Sequence, residues 1–238
     1  MSALFSGYRR VTMPLSREDA RSLRAGDMVL LDGEITITAG LPTHHRILAC
    51  AEAGRDPPID LRNGSLLHLG SYSQDTADGG LEVLYMNPTT STRFNPIMPR
   101  LIRHFGLTAV GGKGGLDAAC REAMAEVGCV YFSFLGGGAP LHSGAITAVR
   151  AVAWNDLVAH YRLVRLAVRT TTPHCAISAC SIAASSWGVE DCASPPARAR
   201  ASRVGGWASA SAVASASRAI TGAGVPRGAK MPPQVPAT

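Results

Sequence analysis

Two short segments carry side chains able to hold and activate a small anion. They are Asn87-Pro88-Thr89-Thr90-Ser91-Thr92-Arg93 and, further on, Gly111-Gly112-Lys113-Gly114-Gly115. The first offers hydroxyls and a guanidinium on a turn. The second offers an ammonium in a loop that only glycine-rich backbone can build. Arginine grips a carboxylate through two parallel hydrogen bonds, whereas lysine acts as a mobile point charge. Two cations and several hydroxyls brought together suit a small di-anionic molecule.

Each segment follows an apolar, extended stretch, residues 81–85 before the first and 107–110 before the second, so both belong at strand ends. Residues 8–15 read as an opening strand that stops at Pro14, and Ser16 with Asp19 forms a capping-box pattern for a short helix. Residues 28–31 and 34–38 flank Asp32-Gly33, a pairing that predicts a tight hairpin. Pro42 opens a helix to about residue 53 with His44, His45 and Arg46 in its first turns. Further strands are expected at 66–69, 130–135 and, last, 161–168, with helices at 96–105 and 116–127. Residues 136–138 read as a loop and 145–154 as a mixed segment. Strands alternate with helices after a β-rich start, which argues for a mixed α/β layered domain rather than a strict doubly wound sheet.

Composition narrows the function classes. Of 238 residues, 46% are hydrophobic, enough for a sizeable core. No stretch approaches the ~18 apolar residues of a membrane span, and the N-terminus lacks the pattern of a secretory leader, so a cytoplasmic protein is expected. The net charge of +6 is mostly local: beyond Thr170 six bases face two acids, so that stretch supplies +4. The remainder is too nearly neutral for a nucleic-acid binder. Six cysteines show no CxxC pair and no zinc spacing, and read as reduced structural thiols. After Arg169 the chain turns to Ala, Ser, Gly, Pro and Arg, a composition that cannot offset its ordering entropy. Two regions follow: a domain at 1–170 and a low-complexity tail at 171–238.

Pro88 to Arg93 with Phe94, then Lys113 to Leu116, then Gly137-Gly138-Ala139-Pro140-Leu141, then Trp154, form an ordered set across roughly residues 9–169. In order and spacing it resembles the β-type half of the iron–sulfur hydro-lyases, that is, the C-terminal domain of class I fumarases and the β subunit of L-tartrate dehydratase. The resemblance implies a compact swivelling β/β/α-type domain with a mixed sheet, packed on a larger partner. It implies reversible addition or removal of water on a small hydroxy-dicarboxylate. A [4Fe–4S] cluster would act as Lewis acid there, held by an α-type partner subunit and not by this chain, in a hetero-oligomer. Thr89 takes the place of the proton-abstracting group. Arg93 and Lys113 would clamp substrate, Thr90 would anchor it, and His45 is retained as a polar site residue.

The chain also departs from that family. In Gly40-Leu41-Pro42-Thr43-His44-His45-Arg46, Leu41 and Pro42 stand where the family has an Arg and an Asp, and that Arg binds a carboxylate. Either the substrate differs, or His44, His45 and Arg46 take over the contact. His68 and Ser71 also differ from the family and carry no transferred role. The closing strand and Asp-x-x-Gly turn of the family are not recognisable after Arg169, which a frameshift in a GC-rich reading frame or a genuine extension would explain. Two rivals therefore accompany the hydro-lyase expectation: an anion-binding module without turnover, and a defective paralogue.

Overall fold

The computed structural model describes residues 8–77, 81–171 and 174–178. Its first half runs β1 (Arg9–Met13), α1 (Arg17–Ser22), β2 (Met28–Ile37), α2 (Leu41–Glu52), β3 (Ser65–Leu67), β4 (Leu69–Asp75) and β5 (Leu81–Pro88). A 3₁₀ turn at Ser91–Phe94 then leads to α3 (Met98–Phe105), β6 (Ala109–Gly112), α4 (Ala118–Val127) and β7 (Val130–Ser133). The chain continues through α5 (Ala139–Ser143), β8 (Ile146–Ala153), β9 (Leu163–Arg169) and β10 (His174–Ser178).

The architecture is mixed α/β around a mixed sheet, as the sequence predicts. Strands β2, β3, β6 and β7 lie parallel in that order, while β9 and β8 continue antiparallel beyond β2. Strand β10 pairs antiparallel with both β7 and the start of β2, so the strands close back on themselves. Period-two alternation sends neighbouring residues to opposite faces. Leu66, Val110 and Tyr131 face α2, α3 and α4, where they pack with Ile47, Leu101, Phe105 and Met124. Their neighbours Leu67, Ala109 and Phe132 face the other way, toward Leu69 and Met86 of the β4–β5 hairpin and Leu23 beside α1. Strand, helix and hairpin thus form three layers with an apolar seam on each side of the sheet.

Two sequence expectations need correction. Asp32-Gly33 is not a hairpin turn: β2 is one continuous strand of 10 residues. Both halves are apolar and both find partners, β1 along Val29–Gly33 and β9 along Asp32–Ile37, so tertiary pairing overrides the local turn preference. Gly33 is needed for another reason. It has φ +103°, and a Cβ there would run into the Met13 carbonyl where β1 crosses. Asp32 instead receives two hydrogen bonds from Arg10, at 2.6 and 2.7 Å. The second correction is at the end: the strand expected to be last is followed by β10, held by pairing on both edges. Otherwise the tail assigned to 171–238 lies outside the described residues.

Because Gly33 packs against backbone rather than a pliable side chain, Gly33→Ala should cost about 1–3 kcal/mol. The measure is a lowered urea midpoint with unchanged slope. An unchanged midpoint would mean that β1 can yield at Met13.

Candidate active site

The parallel strands set one edge of the domain apart. Their carboxyl ends lead directly into Thr38-Ala39-Gly40, His68, Lys113 and Phe134, and parallel α/β sheets, open or closed, bind ligands at such ends. Residues 89–91 lie alongside this edge. The Thr89 amide donates to the His68 carbonyl (2.8 Å), the Lys113 amide to the Thr89 carbonyl (3.0 Å) and the Ser91 amide to the Lys113 carbonyl (2.8 Å). Thr90 and Lys113 thereby form a parallel bridge. The two motifs read separately from sequence are neighbours through their backbones.

Side chains converge with them. Arg93 Nη2 donates to Thr89 Oγ1, and its Nε points at the Thr90 carbonyl at 3.5 Å. The Arg93 guanidinium lies 5.9 Å from the ring centre of Phe94, which anchors the 3₁₀ turn in the core. The Lys113 side chain runs past Gly136, where an added Cβ would sit 3.6 Å from Cδ, and a Cβ on Gly114 would sit 3.5 Å from Thr90 Cγ2. The structure therefore brings Thr89, Thr90, Arg93 and Lys113 together beside the Gly136-Gly137-Gly138 loop. A hydroxyl oxygen that accepts from a guanidinium has a developing negative charge stabilised.

Beneath this cluster lies a feature that sequence reasoning missed. His68 and His44 are both fully buried, with ring centres 5.2 Å apart and both against Phe94, at 4.4 and 4.0 Å. His68 Nδ1 shares a hydrogen bond with Ser91 Oγ (2.8 Å), and Ser91 Oγ shares another with Tyr131 Oη (2.8 Å). His44 Nδ1 donates to the Gly40 carbonyl at 2.6 Å. Both Nε2 atoms are buried without a hydrogen-bond partner. Burial lowers the His44 pKa to about 4, against the hydrogen bond to Gly40. Burial also holds His68 well below the usual histidine range, aided by His44 and Arg93 nearby. The available signal was an ionisable residue inside the apolar run Leu66–Leu69.

Helix α2 does not supply the anion contact in the way its sequence suggests. Its start is fixed by Thr38 Oγ1 (3.1 Å) and Thr43 Oγ1, which both donate to the Tyr161 carbonyl. His44 is neutral and turned inward. Arg46 donates to both oxygens of Asp156 (2.9 and 2.5 Å) and lies over Trp154, so its fork is already engaged. His45 is exposed on α2, and none of the contacts that join Thr89, Thr90, Arg93 and Lys113 includes it. Leu41 occupies the first turn with 42% exposure, where a cation would have had room.

An iron–sulfur cluster needs thiolates. Burial pushes the Cys120 thiol up to about 12 and pushes Cys129 higher still, which disfavours the thiolate at these two positions. Among the described residues no group of three His, Cys, Asp or Glu side chains is arranged to hold a metal ion. Nor is any described helix long and apolar enough to cross a membrane.

A mixed-sheet domain gathers an arginine, a lysine and paired threonines beside its strand ends, which makes it an α/β module with a cationic edge. Residues 6–169 match the family of the fumarase C-terminus, and the chain belongs to that family. It is 34% identical over 139 residues to a putative class I fumarate hydratase of Geobacillus stearothermophilus, covering 58% of this chain but 26% of that protein. A putative L(+)-tartrate dehydratase subunit beta of Methanocaldococcus jannaschii is 30% identical over 60% of this chain and 72% of its own. The L(+)-tartrate dehydratase subunit beta of Escherichia coli is 28% identical over 62% and 71%. The chain thus spans about a quarter of the fumarate hydratase and about seven-tenths of the two β subunits.

The two buried histidines make acid stability a test of this arrangement. Unfolded, each takes up a proton near pH 6.5; folded, each stays neutral until much lower pH. Their contribution is therefore complete above about pH 6.5 and is lost as pH falls below it, toward about 4 for His44, at up to roughly 1.4 kcal/mol per pH unit each. Urea midpoints between pH 7 and 4.5 should fall steeply in the native chain and much less in His44→Gln/His68→Asn. Equal slopes would refute the buried neutral pair.

Proposed function

We propose that this chain is the β-type component of an iron–sulfur-dependent hydro-lyase, of fumarate hydratase or tartrate dehydratase type. It adds or removes water on a small hydroxy-dicarboxylate in the cytoplasm. An α-type partner subunit holds the [4Fe–4S] cluster, and the active site forms at the interface of the two. The single observation that carries this reading is the junction of Thr89, Arg93 and Lys113 through the Thr90–Lys113 bridge. The names of the relatives support it, since two of them are subunits that work in a larger enzyme.

In this reading Arg93 and Lys113 bind carboxylate oxygens. The guanidinium keeps donors to spare after its bond to Thr89, because it carries five N–H groups. Thr89 Oγ1, having released its own proton to solvent as the alkoxide that the cations favour, receives the substrate proton and returns to the hydroxyl. A hydroxyl is a weak base, so the reaction depends on the adjacent cations and on exclusion of water when the partner covers the edge. Thr90, backbone-bridged to Lys113, anchors the pocket wall.

A second reading has its own support. Arg46 is committed to Asp156 and His44 is buried, so of these three helix α2 residues only His45 is left as a further polar contact. A pocket so equipped would bind a dicarboxylate without turning it over.

The chain purified alone should be colourless and inactive, and anaerobic co-expression with an α-type protein encoded beside it should give dehydration of a hydroxy-dicarboxylate from a test panel. Turnover by the isolated chain would overturn the division of labour; succinate binding with no turnover in the complex would select the second reading. Within an active complex, Arg93→Ala should lower kcat/KM roughly tenfold to a hundredfold, since a charged hydrogen bond is worth about 1.5–3 kcal/mol. Arg93→Lys should recover little of it, because an ammonium cannot reproduce the planar fork. Full activity in either variant would remove Arg93 from the site.

A further inference from the structure

His68 sits where the segments that build the pocket meet. Its amide donates to the Gly111 carbonyl (2.6 Å) and its carbonyl accepts from the Thr89 amide (2.8 Å). It therefore links β6 to the turn that follows β5, and separates β3 from β4 in an otherwise unbroken apolar run. Its ring then reaches Ser91 Oγ, two residues beyond Thr89 and two before Arg93, and Ser91 Oγ is tied on to Tyr131 Oη on β7. Ser91, like His68, is completely buried. Gly112 closes the packing: a Cβ there would collide with Ser91 Oγ and lie 3.0 Å from His68 Cβ.

We propose that His68 is a positioning residue of the anion pocket, its ring clamping Ser91 so that Thr89 and Arg93 stay in register with the Lys113 loop. The proposal deepens the reading of Thr89, Arg93 and Lys113 as one pocket and rests on it. A buried imidazole is an expensive choice for a merely apolar position. Its Nε2 has no partner, and it lies beside His44 from α2 and Arg93 from the 3₁₀ turn, with Tyr131 of β7 bonded to the same Ser91 hydroxyl. Such a cost is common where a polar group holds functional geometry. A leucine would fill the space and keep the backbone bonds available, but would leave Ser91 Oγ with one partner fewer at the centre of the turn. Asn would replace the ring Nδ1 with an amide that can meet Ser91 again and does not titrate.

The test uses the full chain in two measurements, with succinate as the probe. Amide hydrogen exchange of Thr89, Ser91 and Lys113 should speed about fivefold to tenfold in His68→Leu relative to Val110 in the sheet core, and return toward native rates in His68→Asn. Ser91→Ala should reproduce the His68→Leu pattern. Succinate affinity by calorimetry should weaken by a similar factor in His68→Leu and recover in His68→Asn. A purely structural histidine would change all amides together and leave affinity per folded molecule unchanged; that result overturns the proposal. If succinate binds neither the native chain nor its complex with the α-type protein, the anion-pocket reading falls by itself, and selective exchange at the three amides still decides whether His68 holds the turn.

Discussion

The pairing of residues 89–91 with Lys113 is the contact on which the site depends. It is made of backbone hydrogen bonds alone, so it fixes position without using any of the chemistry-bearing side chains. Two strand ends can approach this closely only where side chains are missing. Gly111 lies where a Cβ would meet the Phe132 carbonyl and the Phe134 ring, and Gly112 lies against Ser91 and His68. The glycine-rich loop is thus a packing solution before it is a binding loop. Lysine follows as the first residue with free space, and its stem finds room along Gly136.

Electrostatics follow from what lies under that contact. Two histidines in a dry, aromatic-lined layer stay neutral because burial penalises charge, and Arg93 adds repulsion to any proton on His68. The layer beneath the cations therefore adds no charge of either sign from these two rings. Other arginines of the domain are engaged elsewhere: Arg10 with Asp32, Arg46 with Asp156, Arg103 with Glu126. Arg93 instead donates to a hydroxyl and a carbonyl, neither of which neutralises it. A cation paired only with neutral oxygens still attracts an anion at full charge, most strongly where water is excluded.

Local chemistry made part of this legible in sequence. The Ser16 cap accepts from the Asp19 amide as its pattern implies, Pro42 lies in the first turn of α2, and Gly106 ends α3 in the left-handed conformation. The segments that carry Thr89, Arg93 and Lys113 stand out because each is a polar or glycine-rich run after an apolar stretch, and the structure sets them side by side. Other features depended on partners distant in the chain. Asp32-Gly33 carries every local mark of a turn, yet Met13 and Val168 pair with Gly33 from either side. His68 reads in sequence only as a strand position that departs from the family, since nothing in its own neighbourhood announces Ser91 or Tyr131. Arg46 looked free because Asp156 is 110 residues away. β10 escaped notice because its pairing comes from β7 and β2, not from alternation of its own.

The state of α2 bears on how such a pocket would discriminate between ligands. The helix packs its first turns downward, His44 stacked on Phe94 and Thr43 on the Tyr161 carbonyl, and it spends Arg46 on the Trp154–Asp156 corner. That corner is built with Trp154 at φ +59°, a backbone conformation uncommon for a large side chain. Rotating Arg46 away would leave Asp156 without its partner and the tryptophan without its cover, so borrowing it for a substrate has a structural cost. On the proposed reading, Arg93 and Lys113 then supply the charge for one carboxylate group at close range, and the other end of a dicarboxylate meets Leu41, His45 or the partner subunit. Specificity would be decided at that far end, because backbone pairing fixes the segments that carry the near-end cations.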